Sequence, residues 1–240
     1  HYERALLFIP DTLTLVKIYE GIADEHNYYY SNHTDAEIFY EKALGQLQTL
    51  TDNYDALLLR LLYNLAATHQ QREDYFTALD YAQRATQLAR ETQSINLEVC
   101  YSLLGTIYQQ LERYPAAVDA YENAIQQGIE SRGRNSSDLA RYYNNLGLLY
   151  QDKEQYQIAI KYYEQGRAIA ALDHYALAPS DLADSYQYLG NAYTSLRNFS
   201  QAYQFLEQAW QLKRQFFGDQ HPEVARALAF HKVDYLAVAY

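Results

Sequence analysis

A Leu-Gly pair recurs along this 240-residue chain at nearly constant spacing. Its glycines are Gly105, Gly147 and Gly190, which lie 42 and 43 residues apart. Internal repeats of this length are typical of stacked helical hairpins. The residues that follow each pair return in the same order, and they are Tyr108, Ala117, Tyr121 and Ala124; Tyr150, Ala159, Tyr163 and Gly166; and Tyr193, Ala202, Leu206 and Ala209. The spacing therefore predicts a solenoid, an architecture used mainly for binding.

Each repeat has the periodicity of two amphipathic helices, because apolar and small residues recur at intervals of three and four. The first, helix A, carries the Leu-Gly pair, and the second, helix B, carries the Ala and aromatic positions. A glycine inside a helix costs about 1 kcal/mol relative to alanine, so its return needs a structural reason. We expect helix B to approach helix A closely at these points, with Ala159 packed against Gly147.

These residues resemble the tetratricopeptide repeat, whose pattern is a Leu-Gly, then a Tyr, an Ala, an aromatic residue and a second Ala at this spacing. A weaker copy has Ala66 in the glycine place and His69 where the aromatic residue belongs. A degenerate copy lies in 13–47, where the turn at 27–32 is about three residues too long for the pattern. The repeat period is longer than that of the plain tetratricopeptide repeat, and residues 144–147 read Asn-Asn-Leu-Gly. Both features resemble the kinesin light chain type of this repeat.

The resemblance implies an all-α fold, a right-handed α-solenoid of stacked antiparallel helix pairs. We predict a single array over 1–240, with about five repeats and a partial repeat at each end. Both ends resemble cut repeats, so we expect an excised segment, and a natural terminus buried in a dimer is the alternative. The predicted parts are the end of a preceding helix B at 1–10, repeats at 11–50, 51–92, 93–130, 136–172 and 179–217, and a last helix A at 221–238.

Composition narrows the classes of function. Asp and Glu number 30 against 19 Lys and Arg, and the net charge of −11 disfavours nucleic acid or an anionic membrane as the main partner. No apolar stretch approaches the roughly 20 residues that span a bilayer. The seven histidines include no pair three or four apart on one helix, and no Gly-rich phosphate loop is present. We therefore expect no metal, no cofactor, no catalytic centre and a cytoplasmic location, with Cys100 a small apolar residue.

The predicted binding surface is the concave face that the resemblance assigns to the A helices. Asn and Gln side chains both donate and accept hydrogen bonds, so a row of them suits the main chain of an extended peptide. By analogy with the family, Arg60 and Arg141 would add a bidentate grip on a carboxylate. The alternative is a purely structural role, in which Asn64 and Asn145 donate hydrogen bonds to neighbouring loop carbonyls. The predicted peptide-binding residues are Arg60, Tyr63, Asn64, Thr106, Gln109, Arg141, Asn144, Asn145, Gln187 and Asn191.

Two functions stay open at this point. The first is a protein–protein interaction module that binds a peptide or protein segment in its groove. The second is a regulatory or oligomerisation region of a larger signalling protein or enzyme whose effector domain lies elsewhere. Apolar residues spread around the helix predicted at 221–238, so we also expect a homodimer through 222–240.

Overall fold

The computed structural model describes residues 11–134, 136, 138–172, 179–222 and 224–227. Within these ranges the secondary structure is helical, with no strand, and this confirms the predicted all-α class of antiparallel helix pairs. A π-helical segment, Glu25–Tyr29, joins the first two helices. The α-helices are α1 (Thr12–Asp24), α2 (His33–Leu47), α3 (Asp55–Gln71), α4 (Tyr75–Glu91), α5 (Leu97–Gln110), α6 (Tyr114–Arg132), α7 (Asp138–Asp152), α8 (Tyr156–Ala170), α9 (Pro179–Ser195) and α10 (Phe199–Phe217).

The chain divides into two compact units, unit 1 up to Ala117 and unit 2 from Val118. In unit 1, α1 packs on α2 and α3 on α4, while α2 also contacts α3 and α4 contacts α5. Its core is made of small and branched side chains from all of these helices, together with the fully buried ring of Tyr40. Burial of these apolar side chains away from water is the main contribution that holds the helix pairs together.

In unit 2, α7 packs on α8, α8 on α9, and α9 on α10. The glycine of helix A lies at a close crossing, as the sequence indicates, but its neighbour differs from the expected one. A Cβ atom added at Gly147 would lie 2.6 Å from Cδ1 of Tyr163 and would also touch Cε1 of that ring. The nearest side chain is therefore the buried ring of Tyr163, four residues after Ala159 on α8, and not the expected Ala159.

The turns from helix A to helix B share a positive φ at the residue before the N-cap of helix B. It is 49° at Ser31 and 56–62° at Glu73, Glu112, Glu154 and Arg197. The turn between α1 and α2 differs in length, because its extra residues continue α1 as the π-helix and leave Tyr28–Tyr30 exposed. The unusual length of 27–32 thus has a structural counterpart in the fold.

His69 fills the aromatic position of the weak repeat without breaking the packing. Its ring stacks on Tyr81, with centroids 5.6 Å apart and an interplanar angle of 18°. Its Nδ1 lies 3.2 Å from Oδ2 of Asp74, and its Nε2 lies 3.6 Å from Oε1 of Glu37. The imidazole therefore packs as an aromatic ring while it links α2 to the start of α4.

Several predictions at the chain ends lie outside the described residues. They are the helix B fragment at 1–10, most of the last helix A at 221–238 and the dimer contact through 222–240, of which only 221, 222 and 224–227 are described. Among the described helices, none combines the length and apolar character needed to cross a membrane.

Candidate peptide-binding groove

Two neighbouring cavities lie along the A helices of unit 1. One, of about 430 Å³, is formed between α3 and α5 and is called here the α3–α5 cavity. The other, of about 490 Å³, is formed between α1 and α3 and is called the α1–α3 cavity. Ala56 and Arg60 line both of them. The two cavities therefore meet at one face of α3 and extend over three consecutive A helices.

The α3–α5 cavity combines an apolar lining with polar groups. Leu59, Val99 and Cys100 supply apolar surface, and burial raises the pKa of the Cys100 thiol to about 12, so the sulfur stays uncharged at neutral pH. Tyr63 and Asn64, two of the predicted binding residues, also line it. An apolar cavity with a few polar groups is the usual character of a site that binds a side chain and orients its main chain.

Arg60 lines both cavities, but its guanidinium already has a carboxylate partner. It forms a bidentate pair with Glu20 of α1, in which Nε donates to Oε1 and Nη2 donates to Oε2 at 2.7 Å. These hydrogen bonds raise the pKa of the Arg60 guanidinium. The Glu20 side chain is only 8% exposed, whereas that of Arg60 is 59% exposed. The carboxylate grip expected of Arg60 is thus made within the chain.

A second acidic group lies close to this pair. Asp24, one helical turn after Glu20, accepts a hydrogen bond from the hydroxyl of Tyr40 at 2.5 Å. Burial raises the pKa of Asp24, and the charge of Glu20 adds to that increase while the charge of Arg60 opposes it. The surroundings of Arg60 therefore carry at least as much negative as positive charge at neutral pH.

Two other predicted residues of unit 1 lie on α5 beyond these cavities. Thr106 is half-buried, and its hydroxyl donates to the carbonyl of Ser102 at 3.0 Å. Gln109 is also half-buried. Neither residue lines the α3–α5 or the α1–α3 cavity. The structure thus brings Arg60, Tyr63 and Asn64 together and leaves the α5 pair apart from them.

In unit 2, Asn144 holds helices together. Its Nδ2 lies 2.9 Å from Oγ of Ser185, and that hydroxyl lies 3.1 Å from its Oδ1, so the two side chains join α7 to α9. Asn144 is 4% exposed, and its Oδ1 would lie 2.5 Å from a Cβ atom at Gly166. The Asn144 amide therefore has a side-chain partner within the fold, and this predicted binding residue has a structural role.

The remaining candidates in unit 2 have polar surroundings. Arg141 is exposed, and its guanidinium lies over the ring of Tyr142 at 5.6 Å from the centroid. Burial raises the pKa of Asp181, and the positive charge of Arg141 partly opposes that increase. Gln187 accepts a hydrogen bond from Nζ of Lys213 at 2.7 Å. Asn145 and Asn191 are half-buried on α7 and α9.

Two residues that the sequence analysis missed shape these surfaces. Glu20 pairs with Arg60 across 40 residues, and the buried Lys213 of α10 lies 2.9 Å from Oδ1 of Asp184 on α9. The first repeat departs from the pattern, so the position of Glu20 on its A helix could not be aligned with the others. Lys213 lies on a B helix, whereas the family resemblance assigns the groove to the A helices. Among the described residues, no group of three or more His, Cys, Asp or Glu side chains could hold a metal ion.

Sequence comparison relates two segments of the chain to one family. Profiles described as tetratricopeptide repeat match residues 96–171 and 182–223. Mitochondrial tetratricopeptide repeat protein 19 of Mus musculus is 33% identical over 92 residues, which are 38% of this chain and 25% of that protein. The chain thus matches about a quarter of the length of this relative.

Solved structures share the fold at low sequence identity. BtubC (BKLC) from P. vanneervenii is 24% identical with a TM-score of 0.76, over 92% of this chain and 88% of that one. A kinesin light chain-like protein from Podosopora anserina is 18% identical with a TM-score of 0.67, over 86% and 98%. The signal transduction ATPase PH0952 from Pyrococcus horikoshii, which has a tetratricopeptide repeat sensor, is 17% identical with a TM-score of 0.74, over 98% and 36%.

Proposed function

The chain is a tetratricopeptide repeat protein, and from this we propose that it is a protein-interaction module that binds an extended peptide segment along the A helices of unit 1. The observation that carries the proposal is the pair of cavities that meet at Ala56 and Arg60. Successive side chains of an extended peptide point to opposite faces, so alternate side chains can enter neighbouring cavities. Both cavities are large enough to take one side chain each.

The polar groups of the α3–α5 cavity suit the main chain of such a peptide. The Asn64 amide supplies donors and an acceptor, and Tyr63 lines the same cavity. Arg60 uses two N–H groups on Glu20, so three of its five donors remain for carbonyl oxygens. Arg141, Asn145 and Asn191 stay candidates for a separate contact within unit 2. Thr106 and Gln109 of unit 1 and Gln187 of unit 2 are secondary candidates. No nucleic acid, cofactor or membrane insertion is part of the proposal.

Selection from a displayed library of random 12-residue peptides on the immobilised chain tests this function. Selected peptides are then titrated calorimetrically into the chain and into Ala56→Trp, which places an indole ring at the mouth of both cavities. Ala56 is exposed, so the fold is expected to tolerate the change. We expect a loss of affinity of at least about tenfold, or 1.4 kcal/mol.

The matched control is Ala171→Trp, the same change at an exposed alanine after α8. It should leave the affinity of the same peptides unchanged. An empty pool, or equal binding by Ala56→Trp and the unchanged chain, would show that the groove of unit 1 is not the binding surface.

A second candidate function is that of a regulatory region within a larger protein. It is favoured by the coverage of the comparisons, because this chain matches 36% of PH0952, whose repeats are a sensor beside an ATPase, and 25% of the mitochondrial relative. In that case the groove would bind a segment of its own protein. Comparison of the selected peptides with the flanking sequence of the full-length protein decides between the two, since a match within that protein favours regulation.

A further inference from the structure

We propose that Glu20 sets the ligand preference of this groove: by occupying Arg60 it makes the site select a peptide with an uncharged residue at this point and reject one with a carboxylate there. The inference rests on the proposed function and names the class of ligand that the groove accepts. In this proposal Arg60 does not bind a ligand carboxylate, although the family analogy implies that it does.

The geometry of the pair supports this role. Glu20 is buried on α1 and accepts hydrogen bonds from Nε and one Nη of Arg60, while the Arg60 side chain as a whole is 59% exposed at the junction of the two cavities. A ligand would therefore meet an arginine whose charge is already balanced. Its other N–H groups are hydrogen-bond donors, and a peptide carbonyl can accept from them without bringing a charge into the groove.

A ligand carboxylate has no favourable position here. If it joined the pair, it would place a third negative group beside Glu20 and Asp24 against one guanidinium. If it displaced Glu20, that carboxylate would stay buried without its partner, and unpaired buried charges are strongly unfavourable. Like charges brought together at an interface repel each other, so a ligand with a carboxylate at this point binds less tightly than one without it.

The neighbouring α1–α3 cavity does not reverse this preference. Lys17 and Asp55 line it, one of each sign, so its ionisable lining has no net charge apart from Arg60. The α3–α5 cavity contains no other charged lining residue. Glu20 and Asp24 therefore decide the local potential at the junction of the cavities.

Parallel peptide selections test the inference. The same random 12-residue library is selected on the unchanged chain, on Glu20→Gln and on the control Glu91→Gln, which removes an exposed carboxylate from helix α4 of the same unit. We expect pools poor in Asp and Glu from the unchanged chain and from Glu91→Gln, and an acid-rich pool from Glu20→Gln. A selected peptide and its Asn→Asp partner should differ by at least about tenfold in affinity for the unchanged chain, and this difference should vanish or reverse in Glu20→Gln.

The unchanged chain keeps the test decisive if circular dichroism shows that Glu20→Gln does not fold. The Asn→Asp penalty is then measured on the unchanged chain alone, and its absence or reversal overturns the inference. An acid-rich pool from the unchanged chain, or an unchanged penalty in folded Glu20→Gln, overturns this inference and leaves the proposed function standing. An empty pool from the unchanged chain overturns both.

Discussion

At the scale of single residues, the space beside a helical glycine determines what a substitution does. Gly147 lies under the ring of Tyr163, and Gly190 lies under Leu206, whose Cγ would be 2.5 Å from an added Cβ atom. Gly45 of α2 is exposed, and nothing lies within 4 Å of a Cβ atom built there. The same residue type therefore has a packing role at two positions and none at the third.

We expect Gly147→Ala and Gly45→Ala to change stability in opposite directions. At Gly147 the methyl group collides with a buried ring, and overpacking of a tight contact costs about 1–3 kcal/mol, which exceeds the gain in helix propensity. At Gly45 only that gain remains, about 1 kcal/mol. Urea denaturation of both variants measures the difference. Equal stabilisation by the two changes would show that α7 and α8 do not approach closely at Gly147.

Asp24 gives a pH dependence whose sign follows from its burial. Its pKa in the folded chain is above the unfolded value of about 3.9, so the folded state holds this proton more tightly. The resulting stabilisation is complete below the unfolded pKa and is lost as pH rises through the folded pKa. At neutral pH the fold therefore bears the cost of a half-buried carboxylate.

The corresponding prediction concerns Asp24→Asn, which keeps an acceptor for Tyr40 and removes the charge. We expect a higher melting temperature than that of the unchanged chain at pH 7, and convergence of the two near pH 3. Asp11→Asn should lower the melting temperature at pH 7, because hydrogen bonds from the hydroxyl and the amide of Thr14 lower the pKa of Asp11 and stabilise its charged form in the fold. Thermal melts at both pH values check the signs, and a lower melting temperature for Asp24→Asn at pH 7 would contradict the argument.

At the scale of helices, one buried polar pair connects α7 and α9. Asn144 and Ser185 hydrogen-bond to each other within the packed interior, and the Ser185 hydroxyl also lies 2.8 Å from the carbonyl oxygen of Asp181. Removal of Ser185 therefore leaves the buried Asn144 amide without this partner, and removal of Asn144 takes one of two partners from Ser185. We expect Asn144→Ala and Ser185→Ala each to cost about 1–3 kcal/mol, and the double variant to cost clearly less than the sum. Denaturant titrations of this double-mutant cycle measure the coupling. Asn123→Ala, at an exposed position of α6, should stay within about 0.5 kcal/mol, and strict additivity in the cycle would refute the pairing.

The helices were predictable wherever the repeat pattern is strong. The recurrence of Leu-Gly and of the small residues predicts helix A and helix B, because packing at fixed crossings demands the same residue types each time. The identity of each contact was less predictable: Gly147 needed only a close neighbour, and the pattern did not distinguish Ala159 from Tyr163. The π-helix at Glu25–Tyr29 appeared in the sequence only as a turn of unusual length.

The candidate site was predictable only in part, because the repeat pattern places a residue on a helix but does not identify the side chain that it contacts. The position of Asn64 on helix A predicts that it faces the groove, and it lines the α3–α5 cavity. The partner of Arg60 could not be found, because Glu20 lies 40 residues earlier in a repeat whose pattern is degenerate. Periodicity indicates which face of a helix a residue occupies, but not which side chain of the next helix balances its charge.

At the scale of the whole molecule, the net charge of −11 acts on every ligand that approaches. Such a field steers oppositely charged partners over distances longer than a contact, and salt screens it. This effect is separate from the local rejection of carboxylates at Arg60, since it depends on the total charge of the ligand. Cationic residues anywhere along a peptide should therefore raise the rate of association.

We expect a selected peptide extended by two lysines to associate up to about tenfold faster than the same peptide extended by two glutamines when salt is low. The advantage should disappear near 1 M salt, where the Debye length falls to about 3 Å from about 10 Å at 0.1 M. Dissociation rates should stay equal, because the added residues lie outside the two cavities and make no new contact. Stopped-flow measurements at several salt concentrations separate the two rates. A lysine advantage that persisted at 1 M salt, or that appeared in the dissociation rate, would mean that the lysines bind a specific site on the chain, and the steering argument would fail.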